Sequence, residues 1–124
     1  MKLVIGDIPP SSNKYLGNSH SYHVYRQDKE RWHWLVKAAI RERPERPIVH
    51  AVVRIRYFFK DGRRRDPDNY SGKFILDALV REGVLADDSF FNVRLILDAG
   101  VDKKHPRTEI EIEEMEDLNE SRID

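Results

Sequence analysis

Two pairs of aspartates are the residues of this 124-residue sequence whose type and spacing best fit a chemical role. Asp66 and Asp68 are separated by one residue, so in an extended loop both carboxylates can point toward a single cation. Mg²⁺ is a hard ion that prefers oxygen ligands and keeps several waters, and such a pair suits it. Taken alone, the same pattern more often marks a charged turn with a helix cap.

The second pair, Asp87 and Asp88, follows the helix that begins near the first pair. The two pairs flank this helix and therefore do not share one of its faces. A helix of about 13 residues is roughly 20 Å long, so the pairs meet only if the chain turns back after Gly83. By themselves, the residues predict a candidate hard-metal site and nothing more specific.

Basic side chains accompany the first pair. Arg63, Arg64 and Arg65 directly precede it and are suited to hold phosphates through paired hydrogen bonds, although an ordinary exposed turn is the alternative. Lys73, near the start of the predicted second helix, is spaced to be an i, i+4 partner of Asp77 on the helix surface.

Strands and helices alternate along the segments that must position these residues. Apolar side chains recur at helical spacing in two segments, whereas β-branched and aromatic residues alternate in the others. Pro67 interrupts any regular ladder, and Asp68 or Asn69 is expected to cap the second helix. The predicted strands are 2–8, 48–59, 92–98 and 108–114, and the predicted helices are 25–41 and 70–82. Residues 102–106 are expected to form a hairpin-like loop. This order, β-α-β-α-β-β, predicts an α+β (two-layer α/β) fold with two helices packed on a mixed sheet of about four strands.

Size and composition limit the possibilities further. A chain of 124 residues with 40% hydrophobic content fits one compact core, so we expect a single domain over residues 1–118 followed by an acidic tail, 119–124. With no cysteine, the chain has neither disulfides nor thiolate metal sites. No apolar run approaches the roughly 20 residues of a membrane span, and the first residues lack the features of a signal peptide. We expect a cytoplasmic protein without a membrane partner.

The charge is unevenly distributed although its sum is zero. Residues 26–65 contain thirteen Lys and Arg residues but five Asp and Glu residues, a local excess of eight positive charges. Glutamates crowd the end of the chain instead. We expect the basic region to face an anionic ligand and the acidic tail to point away, although a charge run is usually a solvated face.

Four motifs carry a resemblance to a known family. They are R-R-R-D-P-D-N at 63–69, K-x-x-x-D-A-L at 73–79, G-x-x-x-D-D at 83–88 and P-P-S-x-N-x at 9–14. In this order they resemble the RusA family of Holliday-junction resolvases over nearly the whole chain. The resemblance implies a homodimer that acts in DNA recombination and repair. It would bind four-way DNA junctions by their structure and nick paired strands symmetrically with Mg²⁺, for which Mn²⁺ can substitute.

Matched motif by motif, the acids required for cleavage in that family fall on Asp66, Asp68 and Asp88. Asp87 would be an adjacent metal ligand. The essential lysine falls on Lys73, which could offset the extra negative charge that a phosphate gains in a transition state, with the Asp77 pair as the alternative role. One departure is an additional residue within 70–72, which bears on the start of the helix and on the direction of the lysine. For DNA contacts the resemblance and the polar character of the loops together indicate Arg63, Arg64, Arg65, Asn69, Asn13 and Lys14.

Two other functions are compatible with parts of the sequence. A non-catalytic protein that binds junction or duplex DNA could keep the fold, although the presence of all four acids argues against it. A different Mg²⁺ phosphotransfer enzyme could use the first acidic pair, but the preceding arginines and the following Asn69 and Tyr70 do not fit that pattern. His20 and His23 lack the further pair that a zinc site requires, so a loop or helix-start role is favoured.

Overall fold

The computed structural model describes residues 1–17 and 21–116. The strands are β1 (Lys2–Ile5), β2 (Ala51–Phe59), β3 (Val93–Val101) and β4 (Arg107–Glu114), and the helices are α1 (Ser21–Ala39) and α2 (Lys73–Arg81). Short 3-10 turns cover Ser12–Tyr15 and Pro67–Asn69. The predicted order β-α-β-α-β-β and the α+β class are confirmed. Neither helix of the described residues combines the length and apolar character needed to cross a bilayer.

The four strands form one mixed sheet in the order β1-β4-β2-β3. β2 pairs in parallel with β3 and antiparallel with β4, and β4 pairs antiparallel with β1. The loop over 102–106 therefore does not make the expected hairpin, because β2 lies between the two strands that this loop joins. The parallel β2–β3 pair is possible because α2 carries the chain back between them.

β2 forms the centre of the core because its side chains alternate between two environments. Its inward positions are buried and its outward positions are partly exposed, which is the period of a strand with one covered face. Trp32 and Val36 of α1 are fully buried beside this face. From α2, the buried side chains are Phe74, Ile75, Ala78 and Leu79. The inward residues of β2 are Ala51, Val53, Ile55, Tyr57 and Phe59.

The start of α2 differs from the prediction. The helix begins at Lys73 rather than near residue 70, because Pro67–Asn69 form a separate 3-10 turn. Gly72 occupies the N-cap with a φ of 80°, and no side chain caps the helix, so neither Asp68 nor Asn69 has the expected capping role. A Cβ at residue 72 would lie 2.5 Å from Cδ1 of Ile55. Glycine is required here both by the left-handed backbone and by the close approach to β2.

The outer face of the sheet carries both signs of charge. Arg54 and Arg56 of β2 lie in register with Glu111 and Glu109 of β4. Arg56 also approaches Asp98 of β3, with 3.6 Å between Nη2 and Oδ2. The glutamates of β4 thus lie beside these arginines, and the basic excess of the central region is partly neutralised. The predicted tail, 119–124, lies outside the described residues.

A buried polar pair connects the two helices. Nε2 of His33 in α1 donates to Oε2 of Glu82, just after α2, at 2.5 Å. Nη2 of Arg43 donates to Oε1 of the same carboxylate at 2.9 Å. The His33 and Glu82 side chains are 7% and 11% exposed. The hydrogen bond from His33 has the largest effect on the pKa of Glu82, and that from Arg43 the next largest. Both lower this pKa below its ordinary value of 4.5.

Replacement of Glu82 by Gln should lower the free energy of unfolding by about 2 kcal/mol at pH 7, since two hydrogen bonds to a charged acceptor are weakened. A carboxylate whose pKa is lower in the folded protein stabilises the fold at pH values above its pKa in the unfolded chain, near 4.5. This stabilisation is lost as the pH falls through the pKa of the folded protein. Urea unfolding of the two proteins should therefore differ at pH 7 and converge in acid. Glu42→Gln, at an exposed position of the loop after α1, is the matched control. A difference that persists unchanged in acid would contradict the assignment.

Candidate functional site

The first acidic pair lies in the loop that leaves the carboxyl end of β2. Asp66 precedes the 3-10 turn Pro67–Asn69, and its backbone carbonyl accepts from the N–H of Asn69 at 3.0 Å. The Asp66 side chain is 46% exposed and accepts from Nε of Arg64 at 3.2 Å, while Asp68 is exposed within the turn. Both carboxylates can therefore receive a cation without losing a buried interaction.

The N-terminal loop lies against residues 66–69, the acidic turn. The hydroxyl of Ser12 donates to the carbonyl oxygen of Asn69 at 3.3 Å, across 57 positions of sequence. Asn13, the next residue, is exposed. Lys14 is also exposed, but its ammonium is 2.9 Å from a carboxylate oxygen of Asp28, which reduces its availability for phosphate.

Lys73 is the first residue of α2 and is exposed, four positions after Asn69. The partial positive charge of the helix start adds to that of its ammonium group. The alternative role as a partner of Asp77 is not observed: Oδ2 of Asp77 lies 3.7 Å from Nζ of Lys29 in α1. Lys73 therefore lies at the exposed start of α2, shortly after the acidic turn in the chain, and makes no ion pair with Asp77.

The second acidic pair occupies a separate position. Asp87 accepts from the backbone N–H of Asp88 at 2.7 Å, which holds the turn after α2. Asp88 shares a shallow depression with Val93 and Leu95 near the start of β3, whereas Asp66 shares a pocket with Leu97 and Ala99. Positions four residues apart in a strand are separated by about 13 Å. Within residues 1–17 and 21–116, no three acidic or histidine side chains come together as a metal site.

The donor set near Asp66 still fits a hard divalent cation. Mg²⁺ is commonly bound through one or two carboxylates and completed by waters and substrate phosphates, without a cage built entirely from protein. Asp66 and Asp68 supply such a pair in an open turn. Among the described histidines, His23 is exposed on α1 and belongs to no metal-binding group, and His20 lies outside the described residues.

The three consecutive arginines have different environments. Nη1 of Arg65 donates to the carbonyls of Asp61 and Arg63 at 3.0 and 3.1 Å, and its guanidinium lies 4.2 Å from the ring centre of Phe59. Its side chain is 16% exposed, whereas that of Arg64 is 89% exposed. Arg63 is also exposed. Arg65 therefore fixes the loop, and Arg63 and Arg64 remain open to a ligand.

The same loop perturbs a neighbouring acid. The pKa of Asp61 lies below its usual range because its carboxylate accepts from the backbone N–H of Arg63 and pairs with Arg65. Asp61 is thereby kept ionised and engaged, so it supports the loop and is a poor candidate for a metal ligand.

The fold brings to this region three residues that were not predicted from the sequence. Asp98, the only acid of β3, lines a small pocket together with Asp66 and Arg65. Tyr57 and Tyr70 line this pocket and a larger one on its other side. An acid within an otherwise apolar strand was a signal for Asp98. No signal indicated the tyrosines, since aromatic residues in β2 and near α2 are ordinary core residues.

Two carboxylates that can bind a hard cation accompany exposed arginine and lysine side chains in this part of the chain. This arrangement fits a nuclease. Comparison with protein-family models bears this out, because the model described as Endodeoxyribonuclease RusA matches residues 7–113. The chain therefore belongs to the RusA endodeoxyribonuclease family, which implies junction-resolving activity in general terms. No curated protein sequence gives a significant match.

Replacement of Arg64 by Ala should weaken DNA binding and reduce the slope of log affinity against log salt by about 1, because one phosphate contact is lost. Its melting temperature should stay close to that of the wild type. Arg65→Ala should instead lower the free energy of unfolding by roughly 1–3 kcal/mol, since loop hydrogen bonds and a ring contact disappear. Fluorescence anisotropy with a salt series and thermal unfolding measure the two effects. Equal loss of stability in both variants would refute this division of roles.

Proposed function

We propose that this chain is a Mg²⁺-dependent endonuclease that resolves four-way DNA junctions as a homodimer, through paired symmetric nicks. Mn²⁺ would substitute for Mg²⁺ as the cofactor, and the enzyme would act in DNA recombination and repair. The observation that carries it is the short turn with Asp66 and Asp68, which lies in the chain between the exposed Arg63 and Arg64 and the exposed Lys73 at the start of α2.

Each side chain has a distinct part in this reaction. Asp66 and Asp68 would hold the cation, which activates a water and stabilises the developing charge on the phosphate. Lys73 offsets negative charge on the scissile phosphate, a part that no carboxylate can perform. Arg63 and Arg64 hold flanking phosphates, and Asn13 and Asn69 add neutral contacts. These seven side chains lie in the loop after β2, at the start of α2 and in the N-terminal loop, which the Ser12–Asn69 hydrogen bond joins to the acidic turn.

Asp88 and Asp87 belong to the proposed site through the family motif. In the described chain their turn is exposed, and backbone hydrogen bonds between Ile48 and the residues Val84 and Ala86 fix its start to the core. A shared metal site would therefore require this turn to approach the acidic turn when DNA binds. The alternative function, a non-catalytic DNA-binding protein of the same fold, is favoured by the separation of the two pairs, and cleavage assays distinguish the two.

Asp66→Asn and Asp88→Asn should each lower the cleavage rate of a synthetic mobile four-way junction by about 100-fold or more, because a charged ligand or stabilising group is lost. Binding to the same junction should change little. Gel assays with Mg²⁺, Mn²⁺ or chelator, on junction and on linear duplex, measure both quantities.

Glu42→Gln, which removes a carboxylate far from the acidic turn in sequence and exposed in the loop after α1, serves as the matched control and should cleave at the wild-type rate. If the wild type binds the junction but leaves it uncut with either metal, the resolvase proposal fails and the binding-protein alternative stands. If Asp88→Asn retains full activity, the second pair has no part in the site.

Lys73→Met should lower the cleavage rate by about 100-fold at unchanged junction affinity, as expected for a group that acts on transition-state charge. Lys73→Arg should restore part of the rate, since the charge is regained. Lys103→Met, at an exposed position of the loop between β3 and β4, is the control. Equal effects on affinity and rate would assign Lys73 to ground-state binding instead.

The homodimer is supported by an exposed apolar surface at the edge of the sheet. β3 is the outer strand on that side, and Phe90 and Phe91, just before it, are 82% and 63% exposed. Leu95 and Val101 of β3 are also exposed, at 36% and 60%. Neighbouring apolar side chains of this size commonly mark a protein interface.

Combined substitution of Phe90 and Phe91 by Ser should shift the protein from dimer to monomer in sedimentation velocity. Paired cleavage should then give way to single nicks, which a cruciform plasmid assay detects. Leu16→Ser, which also removes an exposed apolar side chain, should leave the dimer intact. A dimer that survives the double substitution would place the interface elsewhere.

A further inference from the structure

An aromatic pocket opens directly beside the acidic turn. It has a volume of about 260 Å³ and lies between the N-terminal loop, α1, β2 and the start of α2. Its lining comprises Pro9, Pro10, Ser12, Tyr15, Tyr25, Tyr57, Asn69, Tyr70, Ser71, Gly72, Lys73 and Phe74. A closed apolar cavity of about 150 Å³ in another protein is known to hold benzene, so this space is large enough for one heteroaromatic ring.

The walls are built for a flat, uncharged ligand. The rings of Tyr25 and Phe74 pack edge to face with 5.2 Å between their centres, and those of Tyr15 and Tyr25 do the same. These contacts make one wall of the pocket continuous. Tyr57 and Tyr70 lie 5.8 Å apart on the opposite side. Aromatic faces of this kind stack with any nucleobase, whereas they offer nothing to a phosphate or a metal ion.

One polar group at the bottom of the pocket lacks a partner. Tyr57 is 3% exposed, and its hydroxyl makes no hydrogen bond within the part of the chain that the structure describes. A buried hydroxyl without a partner is costly, so it indicates a missing donor or acceptor. Burial, and to a lesser extent Tyr70, raises the pKa of Tyr57, which keeps the hydroxyl protonated and able to donate.

Gly72 keeps the space above this hydroxyl open. A Cβ there would lie 3.7 Å from Oη of Tyr57, so a side chain at this position would begin to cover it. Two residues with polar side chains, Asn69 and Lys73, line the same pocket as Gly72. A phosphate held at Lys73 and the acidic turn therefore has the pocket within reach of its own nucleotide.

We propose that this pocket receives an unpaired nucleobase of the nucleotide next to the scissile phosphate, stacked among the tyrosines and hydrogen-bonded by the Tyr57 hydroxyl. The proposal rests on the proposed nuclease function and identifies what that site recognises. A base within intact duplex is paired and stacked and cannot enter, whereas a base at a branch point leaves the stack at lower cost. The pocket thus couples the site to branched DNA and gives it a preference for the base beside the cut.

Junctions that lack one base at a time around the branch point test the pocket, with Ca²⁺ in place of Mg²⁺ so that affinity is measured without cleavage. At one position, loss of the base should weaken wild-type binding by about ten-fold, the effect of one lost stacking contact. Ser71→Phe, which fills the pocket from an exposed rim position, should bind the complete junction about ten-fold more weakly and be insensitive to base removal there.

Tyr57→Phe should lose about five-fold in affinity for the complete junction and nothing for the abasic one. Its melting temperature should not fall, because the hydroxyl removed has no partner in the free protein. Ala38→Phe, an exposed position on α1, controls for an added aromatic ring and should bind as the wild type does.

Equal sensitivity to base removal in wild type, Ser71→Phe and Tyr57→Phe at every position would overturn the pocket proposal, as would a large fall in the melting temperature of Tyr57→Phe. These results are distinguishable from failure of the proposed function. A wild type that binds junctions without ever cutting them refutes the resolvase, while the abasic comparison still decides the pocket. A wild type that does not bind junctions refutes both.

Discussion

The pairing of β2 on both of its edges is the constraint on which the rest of this molecule depends. Its parallel neighbour β3 requires a crossover, which α2 supplies, and its antiparallel neighbour β4 requires the chain to cross to the other side. The buried side chains of β2 then hold both helices through one core. Because the acidic turn leaves the carboxyl end of this strand, the position of Asp66 follows directly from the sheet.

The two acidic pairs are held in place by different contacts. Arg65 is held by backbone carbonyls and the ring of Phe59, and Gly72 lies against Ile55, so the loop that carries Asp66 and Asp68 is anchored at both ends. The turn with Asp87 and Asp88 is exposed, but backbone hydrogen bonds between Ile48 and the residues Val84 and Ala86 fix its start to the core. The sheet therefore holds the two pairs at separate positions of the fold.

The register of the strands, and not the position of a residue along the chain, decides which charged side chains lie next to each other. The basic excess of residues 26–65 suggested a single basic surface, but Arg54 and Arg56 face glutamates of β4. Other basic side chains pair with acids of different elements, as Lys14 does with Asp28. Arg63, Arg64 and Lys73 are exposed on either side of the acidic turn along the chain, whereas other exposed cations, such as Arg41 and Arg46, lie in the loop after α1. Local placement, and not net charge, therefore supports phosphate binding at this end of the fold.

The sequence by itself determined the order of elements, the α+β class and the family, because periodicity and ordered motifs are properties of local chain. It also identified Asp66, Asp68 and Lys73, whose roles remain proposals. The tertiary structure alone decided the strand order and the separation of Asp88 from Asp66. It also decided the structural role of Arg65 and brought Asp98 and Tyr57 close to the site. Each depends on contacts between residues distant in sequence, and such contacts are set by sheet register and packing, which leave no periodic signal in the chain.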